Sequence, residues 1–332
     1  MAERMDRGEM DVSIVIPTKN GEEYLDRVLD MVFRQETQYS YEVICVDSGS
    51  GDETIPIIRK YPCRLYQILP EEFGHGKTRN FGASKGSGTY IVFLTQDALP
   101  ADTFWLQNLI CAMEKDPDIA GGFGKHLPYP GCNIFDVRDL ALHFDNFGRE
   151  DTVYFLEDPK RYAQEEGYRH MLAFFSDNNA CLRRSVWEQH PYKEVEFAED
   201  QIWMKERIEA GYKKVYCPFA AVYHSHNYDS RTFYQRYYDE HKGLYQLHGY
   251  EISDSWIGLF PRWVRHVRMD AGYLRGLSIS RKEKIKWMMY SIRRNYARYY
   301  GGYKGSRYHT YSPQKQKYLD EKLSQQYRQR KA

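Results

Sequence analysis

A few short groups of residues could carry chemistry, and they recur at the ends of apolar runs. Gln96-Asp97 closes the run Tyr90-Ile91-Val92-Phe93-Leu94. A carboxylate there either meets a ligand at the end of a buried strand or caps the helix suggested by Asp102-Thr103-Phe104-Trp105-Leu106. Glu199 and Asp200 stand side by side ahead of a helical pattern that includes Ile202 and Ile208. One acid of such a pair can cap the helix while the other acts as a general base on a hydroxyl. His224-Ser225-His226 follow an extended apolar segment, where alternate side chains point the same way. Such a pair is structural by itself, and with Asp97 it could hold a cation. Lys77 and Arg79 follow Gly74-His75-Gly76 at a helix start. Main-chain donors, cationic side chains and glycines open to close approach suit a phosphate there, and a basic surface patch is the alternative.

The elements that must position these groups follow from periodicity. Val12–Ile16 is a buried apolar run stopped by Pro17, and Thr18–Gly21 is a loop of turn formers. Tyr24, Leu25, Val28, Leu29 and Val32 recur at helical spacing. Glu42–Asp47 is a second strand followed by the turn Ser48–Asp52, then a short helix and a third strand over Arg64–Leu69. Strand alternating with helix predicts a parallel sheet, whose strand ends converge on one crevice. Asp47 at the second strand's end could accept a hydrogen bond from a base or a ribose, or could serve its own turn. Neither G-x-G-x-x-G nor a P-loop follows a strand, which argues against a dinucleotide fold. Beyond the Tyr90–Leu94 strand, whose pairing Pro100 should end, a helix is expected near Thr103–Lys115. Loops and short helices are expected over Pro128–Gly167, and a strand with a polar entry begins at Ser176-Asp177-Asn178-Asn179.

Composition narrows the class. The 332 residues allow one large domain or two modest ones, and the 30 tyrosines suit either core packing or a sugar-stacking surface. Net charge is only +1, yet from Arg262 onward basic residues exceed acidic ones by about fifteen. A basic tail of this kind implies a polyanionic neighbour, such as anionic lipid or a diphosphate-linked substrate. Ile285, Met289, Ile292, Tyr296 and Tyr299 mark one face of a helix whose other face is Lys and Arg. That face fits an anionic membrane surface or, alternatively, packing on its own domain or in a homodimer. The six cysteines lack metal-site spacing and read as reduced thiols of a cytoplasmic protein. No apolar run approaches the ~20 residues of a membrane span, and no nucleic-acid-binding module is recognisable.

Val15–Asn20, Val46–Asp52, Phe73–Asn80, Thr95–Ala98 and Ala198–Gln201 occur in an order and spacing that resembles family 2 glycosyltransferases of GT-A fold. The pairing of His-Gly-Lys-Thr-Arg-Asn with Gln-Asp-Ala further resembles the bacterial rhamnosyltransferases that use dTDP-L-rhamnose. The resemblance implies an α/β fold with a Rossmann-like, mostly parallel sheet flanked by helices over residues 11–230. A short tail (1–10) precedes it and a basic helical extension (231–332) follows. It places Pro17, Thr18 and Asn20 in the nucleotide loop, Asp47 with Ser48 at the base, and Lys77 and Arg79 near base and diphosphate. Gln96 also belongs to the donor site. Asp97 becomes a ligand of Mg²⁺ or Mn²⁺, joined by His224 or His226. Asp200 becomes the base of an inverting transfer, with Glu199, Trp203 and Asn178 on the acceptor side. The implied partners are a nucleotide-sugar and a lipid-diphosphate-linked saccharide at the inner membrane face, in cell-surface polysaccharide synthesis. Three departures stand out. Thr95 replaces the first acid of D-x-D, Ser48 stands where many relatives have a second Asp, and no Q-x-x-R-W follows Asp200. The last favours single transfers over polymer extrusion. A catalytically inactive binder of sugar-nucleotide or saccharide, of the same fold, is the alternative function.

Overall fold

The computed structural model describes residues 10–195, 197–325 and 327. All but Met10 of the expected N-terminal tail lies outside them. The chain divides into two compact units, one running to Ser225 and one from His226 onward, with residues 197 and 198 grouped with the second.

The first unit is a nine-stranded sheet between two layers of helices. Its elements are β1 (Val12–Thr18), α1 (Leu25–Phe33), β2 (Tyr41–Asp47), α2 (Thr54–Ile58), β3 (Arg64–Gln67), α3 (His75–Lys85), β4 (Tyr90–Leu94), β5 (Leu99–Pro100) and α4 (Trp105–Glu114). There follow β6 (Ile119–Leu127), α5 (Ile134–Asp145), β7 (Thr152–Tyr154), α6 (Pro159–Gln164), α7 (Glu166–Ala173), β8 (Asn179–Arg183), α8 (Arg184–Gln189), α9 (Glu199–Glu209) and β9 (Lys213–Tyr223). The order across the sheet is β3-β2-β1-β4-β8-β6-β9-β5, with β7 also on β9. Strand side chains alternate between the two layers. Ile14, Ile16, Val92 and Leu94 pack with α1 and α4, whereas Val15, Ile91 and Phe93 pack with α3 and the later helices. Burial on both faces explains why these strands read as continuous Val/Ile runs.

The parallel arrangement expected from alternation holds for β3-β2-β1-β4. Beyond it the sheet is mixed, because β8 runs antiparallel to both β4 and β6. Both prolines behave differently from expectation. β1 continues through Pro17 to Thr18. Ser48 N–H donates to the Thr18 carbonyl, so the Pro17 nitrogen faces the β4 side, where the ladder has already ended at Val15. Pro100 does pair, with Val222, in a two-residue edge strand where a missing N–H is tolerated. The Pro128–Gly167 region contains the 12-residue α5, more order than its weak periodicity suggests.

The second unit comprises α10 (Ser230–His248), α11 (Leu259–Gly276), α12 (Arg281–Ser306) and α13 (Pro313–Leu323). In α12 the buried residues are Ser291, Arg294, Asn295, Ala297, Gly301, Gly302, Gly305 and Ser306. The expected Ile/Met/Tyr stripe therefore splits. Ile285, Met289 and Tyr296 are exposed, while Ile292 and Tyr299 are partly covered. The physical reason is the close approach of α12 to α10. A Cβ on Gly301 would lie 2.5 Å from the Tyr234 carbonyl oxygen, and one on Gly305 would collide with that of Tyr238. Gly305→Ala should lower stability by about 1–3 kcal/mol through overpacking. An unchanged melting curve would show that α12 can shift off α10 freely.

Candidate active site

Three loops at the carboxyl ends of β1, β2 and β4 are tied into one floor. The Asp47 carboxylate accepts from Gly49 N–H (3.0 Å), Ser50 N–H (2.9 Å), Ser50 Oγ (2.5 Å) and Thr18 Oγ1 (3.1 Å). Asn20 sits at φ +47°, a left-handed conformation that Asn tolerates. There its N–H donates to Ser50 Oγ and its Oδ1 accepts from Gly51 N–H, both at 2.9 Å. Gly21 N–H donates to Thr54 Oγ1 at 2.6 Å. From β4, Gln96 clamps the first loop from both sides. Its Oε1 accepts from Lys19 N–H and its Nε2 donates to the Lys19 carbonyl, each at 2.9 Å.

Asp97 meets His224 because β5, leaving the β4 turn, pairs with the end of β9. The Asp97 carboxylate lies 3.6 Å from His224 Nε2, both side chains only partly exposed. His226 comes two residues later, at the start of the second unit. Tyr129 Oη donates to the Asp97 carbonyl at 2.9 Å, and its ring stands 5.2 Å from that of Tyr24. Burial, followed by the Asp97 carboxylate, pushes the Tyr129 phenol upward, which keeps it a donor. Behind His224 lies His126, with ring centroids 5.3 Å apart. Burial pushes His126 well below the usual imidazole range, so it is neutral.

The second focus is the first turn of α9, entered through Ala198 at φ +61°. Asp200 Oδ1 accepts from Gln201 N–H at 2.7 Å, and Oδ2 accepts from Asp177 N–H at 3.2 Å. Glu199 faces inward and pairs with Arg79 Nη1 at 2.6 Å. Arg79 Nε lies 3.3 Å from Asp177 Oδ2, and Tyr192 Oη donates to Asp177 Oδ1 at 2.7 Å. Glu199 and Asp177 thus share one guanidinium, with Asp200 beside them. Burial, then the Glu199 charge, pushes Asp200 up to about 7 against the opposing pull of Arg79. Burial holds Asp177 well above the carboxylate range. The loop 176–178 joins the two foci, since the Asn178 carbonyl accepts from Thr95 N–H at 3.3 Å beside the Asp97 turn.

Residues 13–188 match the model of the family described as glycosyl transferase family 2. The chain belongs to glycosyltransferase family 2. It is 37% identical over 235 residues to the O-antigen chain rhamnosyltransferase RfbN of Salmonella typhimurium, covering 69% of this chain and 71% of that one. It is 34% identical over 233 residues to the O-antigen chain rhamnosyltransferase WbaN of Salmonella anatum, covering 68% and 70%. Among solved structures it resembles S. aureus TarS 1–349, with TM-score 0.52 and 15% identity over 89% of this chain and 91% of that one. A mannosyltransferase from Pyrobaculum calidifontis, in complex with GDP-Man and Mn²⁺, gives TM-score 0.52 and 16% identity over 96% and 82%. These likenesses show the GT-A fold, and the chain is a glycosyltransferase.

Several expected roles are corrected by this family 2 structure. Arg79 does not face a diphosphate, because it is 5% exposed and committed to Glu199 and Asp177. Lys77, one turn position away, is exposed on the first turn of α3 and is the cation open to an anion there. Gly76 serves packing, since a Cβ there would lie 2.9 Å from the Lys193 carbonyl oxygen. Glu199 and Trp203 are not acceptor contacts. Glu199 is the ion-pair partner of Arg79, and Trp203 is 2% exposed within the core, on the inward face of α9. Asp47 is 0% exposed and holds its own loop, and Ser48 Oγ donates to the Thr18 carbonyl at 3.2 Å. Thr18 is buried beneath them, while Pro17 and Asn178 stay partly exposed at the floor. Asp177, Tyr192 and Tyr129 were not singled out from the sequence. The polar strand entry Ser176–Asn179 was the available signal for Asp177, and nothing local marks the two tyrosines. Gln96→Ala should release the loop at Lys19, at about 1 kcal/mol per hydrogen bond lost. Faster amide exchange over residues 18–21 is the expected reading, and unchanged exchange would show that the clamp is dispensable.

Proposed function

We propose that this glycosyltransferase moves an L-rhamnosyl group, with inversion, from dTDP-β-L-rhamnose to a saccharide acceptor in cell-surface polysaccharide synthesis. The observation that carries this reading is the similarity to two O-antigen chain rhamnosyltransferases over about two thirds of each chain. No observation favours the inactive-binder alternative. Catalysis is assigned to residues 11–230. The loops of Pro17–Asn20 and Asp47–Ser50 form the nucleotide floor, and Lys77 meets the diphosphate. Asp200 takes the proton of the acceptor hydroxyl as that oxygen attacks the anomeric carbon and the nucleoside diphosphate departs. Its half-buried carboxylate, held by two backbone N–H groups and titrating near neutrality, suits a general base. Asn178, on the loop that touches both foci, is the acceptor-side residue kept from the sequence reading.

A divalent cation fits Asp97 and His224. A carboxylate oxygen and an imidazole nitrogen 3.6 Å apart can share one ion at about 2.1 Å from each. His226 is proposed as a third ligand from its spacing. A mixed oxygen–nitrogen set accepts Mn²⁺ more readily than Mg²⁺, which favours oxygen and water. Bound there, the ion neutralises charge on the leaving diphosphate.

Residues 231–332 are assigned to contact with an anionic membrane, where a lipid-diphosphate-linked acceptor would reside. No helix among the described residues is long and apolar enough to cross a membrane. Exposed Ile285 and Met289 on α12 and Phe260 and Met269 on α11 stand among exposed Arg265, Arg268, Lys282 and Lys286. Apolar side chains beside cations suit the interface of an anionic bilayer.

The decisive experiment is a donor panel of dTDP-rhamnose against UDP- and GDP-sugars, read by nucleotide release with Mn²⁺ and with chelator. dTDP-rhamnose turnover that chelator abolishes is expected, and preference for another donor overturns the sugar assignment. Asp200→Asn should lose about 10²–10⁴ in kcat with donor affinity retained. The base must be ionised, so wild-type kcat/KM should rise with pH through about 7. Near-normal turnover by Asp200→Asn would remove Asp200 from the role. Ile285→Asp with Met289→Asp should weaken binding to anionic vesicles. Unchanged vesicle binding, with a dimer that the substitutions dissociate, would favour a homodimer face instead.

A further inference from the structure

We propose that Arg79 is the positioning residue for Asp200: through Glu199 and Asp177 it fixes both the direction of that carboxylate and the charge around it. This rests on the reading of Asp200 as the base. Arg79 lies on α3, far in sequence from the acids it holds. Its Nη1 reaches Glu199 Oε1 at 2.6 Å, and its Nε stands 3.3 Å from Asp177 Oδ2, close enough for charge but out of line for a hydrogen bond. Side chains of all three are 7% exposed or less. Both acids touch Asp200 through the backbone. Glu199 precedes it on α9, and the Asp177 N–H donates to its Oδ2 at 3.2 Å. Tyr192 completes the ring by donating to Asp177 Oδ1.

The arrangement does more than hold the fold together. A structural ion pair needs one acid for one base, yet here two buried acids, Glu199 and Asp177, meet a single guanidinium, and both adjoin Asp200. The groups facing Asp200 are Arg79 from α3, Asp177 from the loop before β8, Tyr192 from the segment before α9, and Glu199 beside it. Among the three acids, Asp200 alone keeps partial exposure. Arg79 is the cation in the set, so it opposes the burial and the Glu199 charge that together favour protonated Asp200. Turning inward to do this, it leaves the diphosphate to Lys77.

The test combines variants whose effects on Asp200 have opposite sign. Glu199→Gln removes a like charge, so the rising limb of kcat/KM against pH should move to lower pH, by about one unit. Arg79→Gln removes the opposing charge, so the limb should move the other way, to higher pH. Arg79→Lys keeps the charge and should bring the limb back toward wild type while kcat stays reduced, because one ammonium cannot span both acids. Donor KM should stay within about twofold of wild type in Arg79→Lys, since a residue that does not touch the diphosphate changes kcat alone. Carbon NMR of the Asp200 carboxyl group in Glu199→Gln, compared with wild type, gives the same shift without turnover. If the NMR titration moves and the rate profile does not, the positioning holds and the base assignment fails. If neither moves, or if Arg79→Lys raises donor KM with kcat unchanged, the proposal is overturned. Should Arg79→Gln fail to fold, Glu199→Gln and Arg79→Lys still decide the matter.

Discussion

The antiparallel seating of β8 on β4 is the constraint on which the site depends. Leu94 opposes Asn179 in that ladder, so the chain leaves β4 where it enters β8. The Thr95–Asp97 turn and the loop 176–178 are therefore neighbours by strand register. Asn179 is locked by Trp105 Nε1, which donates to its Oδ1 at 2.8 Å, and by its own donation to the Ala220 carbonyl at 2.7 Å. From that loop, Asn178 holds Thr95 and Asp177 holds Asp200. A parallel neighbour at this position would begin at the opposite edge of the sheet and leave Asp97 and Asp200 unconnected.

Around this junction, polar residues that look like ligand contacts mostly hold one another. Asp47 makes its four hydrogen bonds within the floor, Gln96 grips the backbone of Lys19, and Arg79 answers buried acids. The effect is preorganisation. Loops that are already hydrogen-bonded lose less entropy when a ligand binds, and a carboxylate already held in one direction needs no reorganisation before it acts. The raised titration of Asp200 follows first from its burial and then from the Glu199 charge beside it, which Arg79 only partly offsets.

The helical unit follows a different rule. Its longest helix seats Gly301 and Gly305 against α10, bonds Ser291 and Asn295 to Asp270 of α11, and leaves Ile285 and Met289 outside. Small residues let backbones approach, so tight packing there does not require an apolar stripe. The outward apolar residues Ile285 and Met289 stay exposed beside Lys282 and Lys286.

By itself the sequence determined the order of strands and helices through β4 and the positions of the carboxyl-end loops. It also marked the acids Asp97 and Asp200 and the basic helical end. These are local matters: apolar runs of strand length, helical spacing and motif order survive in one dimension. Only the tertiary structure decided which way each polar side chain faces. Arg79 and Lys77 are two residues apart on one helix, and roughly 200° of helical rotation sends one to the core and the other to solvent. Glu199 and Asp200 are adjacent and identical in charge, and a partner 120 residues upstream makes one structural and leaves the other open. The meeting of Asp97 with His224 required a two-residue edge strand too short to announce itself in any periodicity. Long-range partners set each of these outcomes, and no local pattern records them.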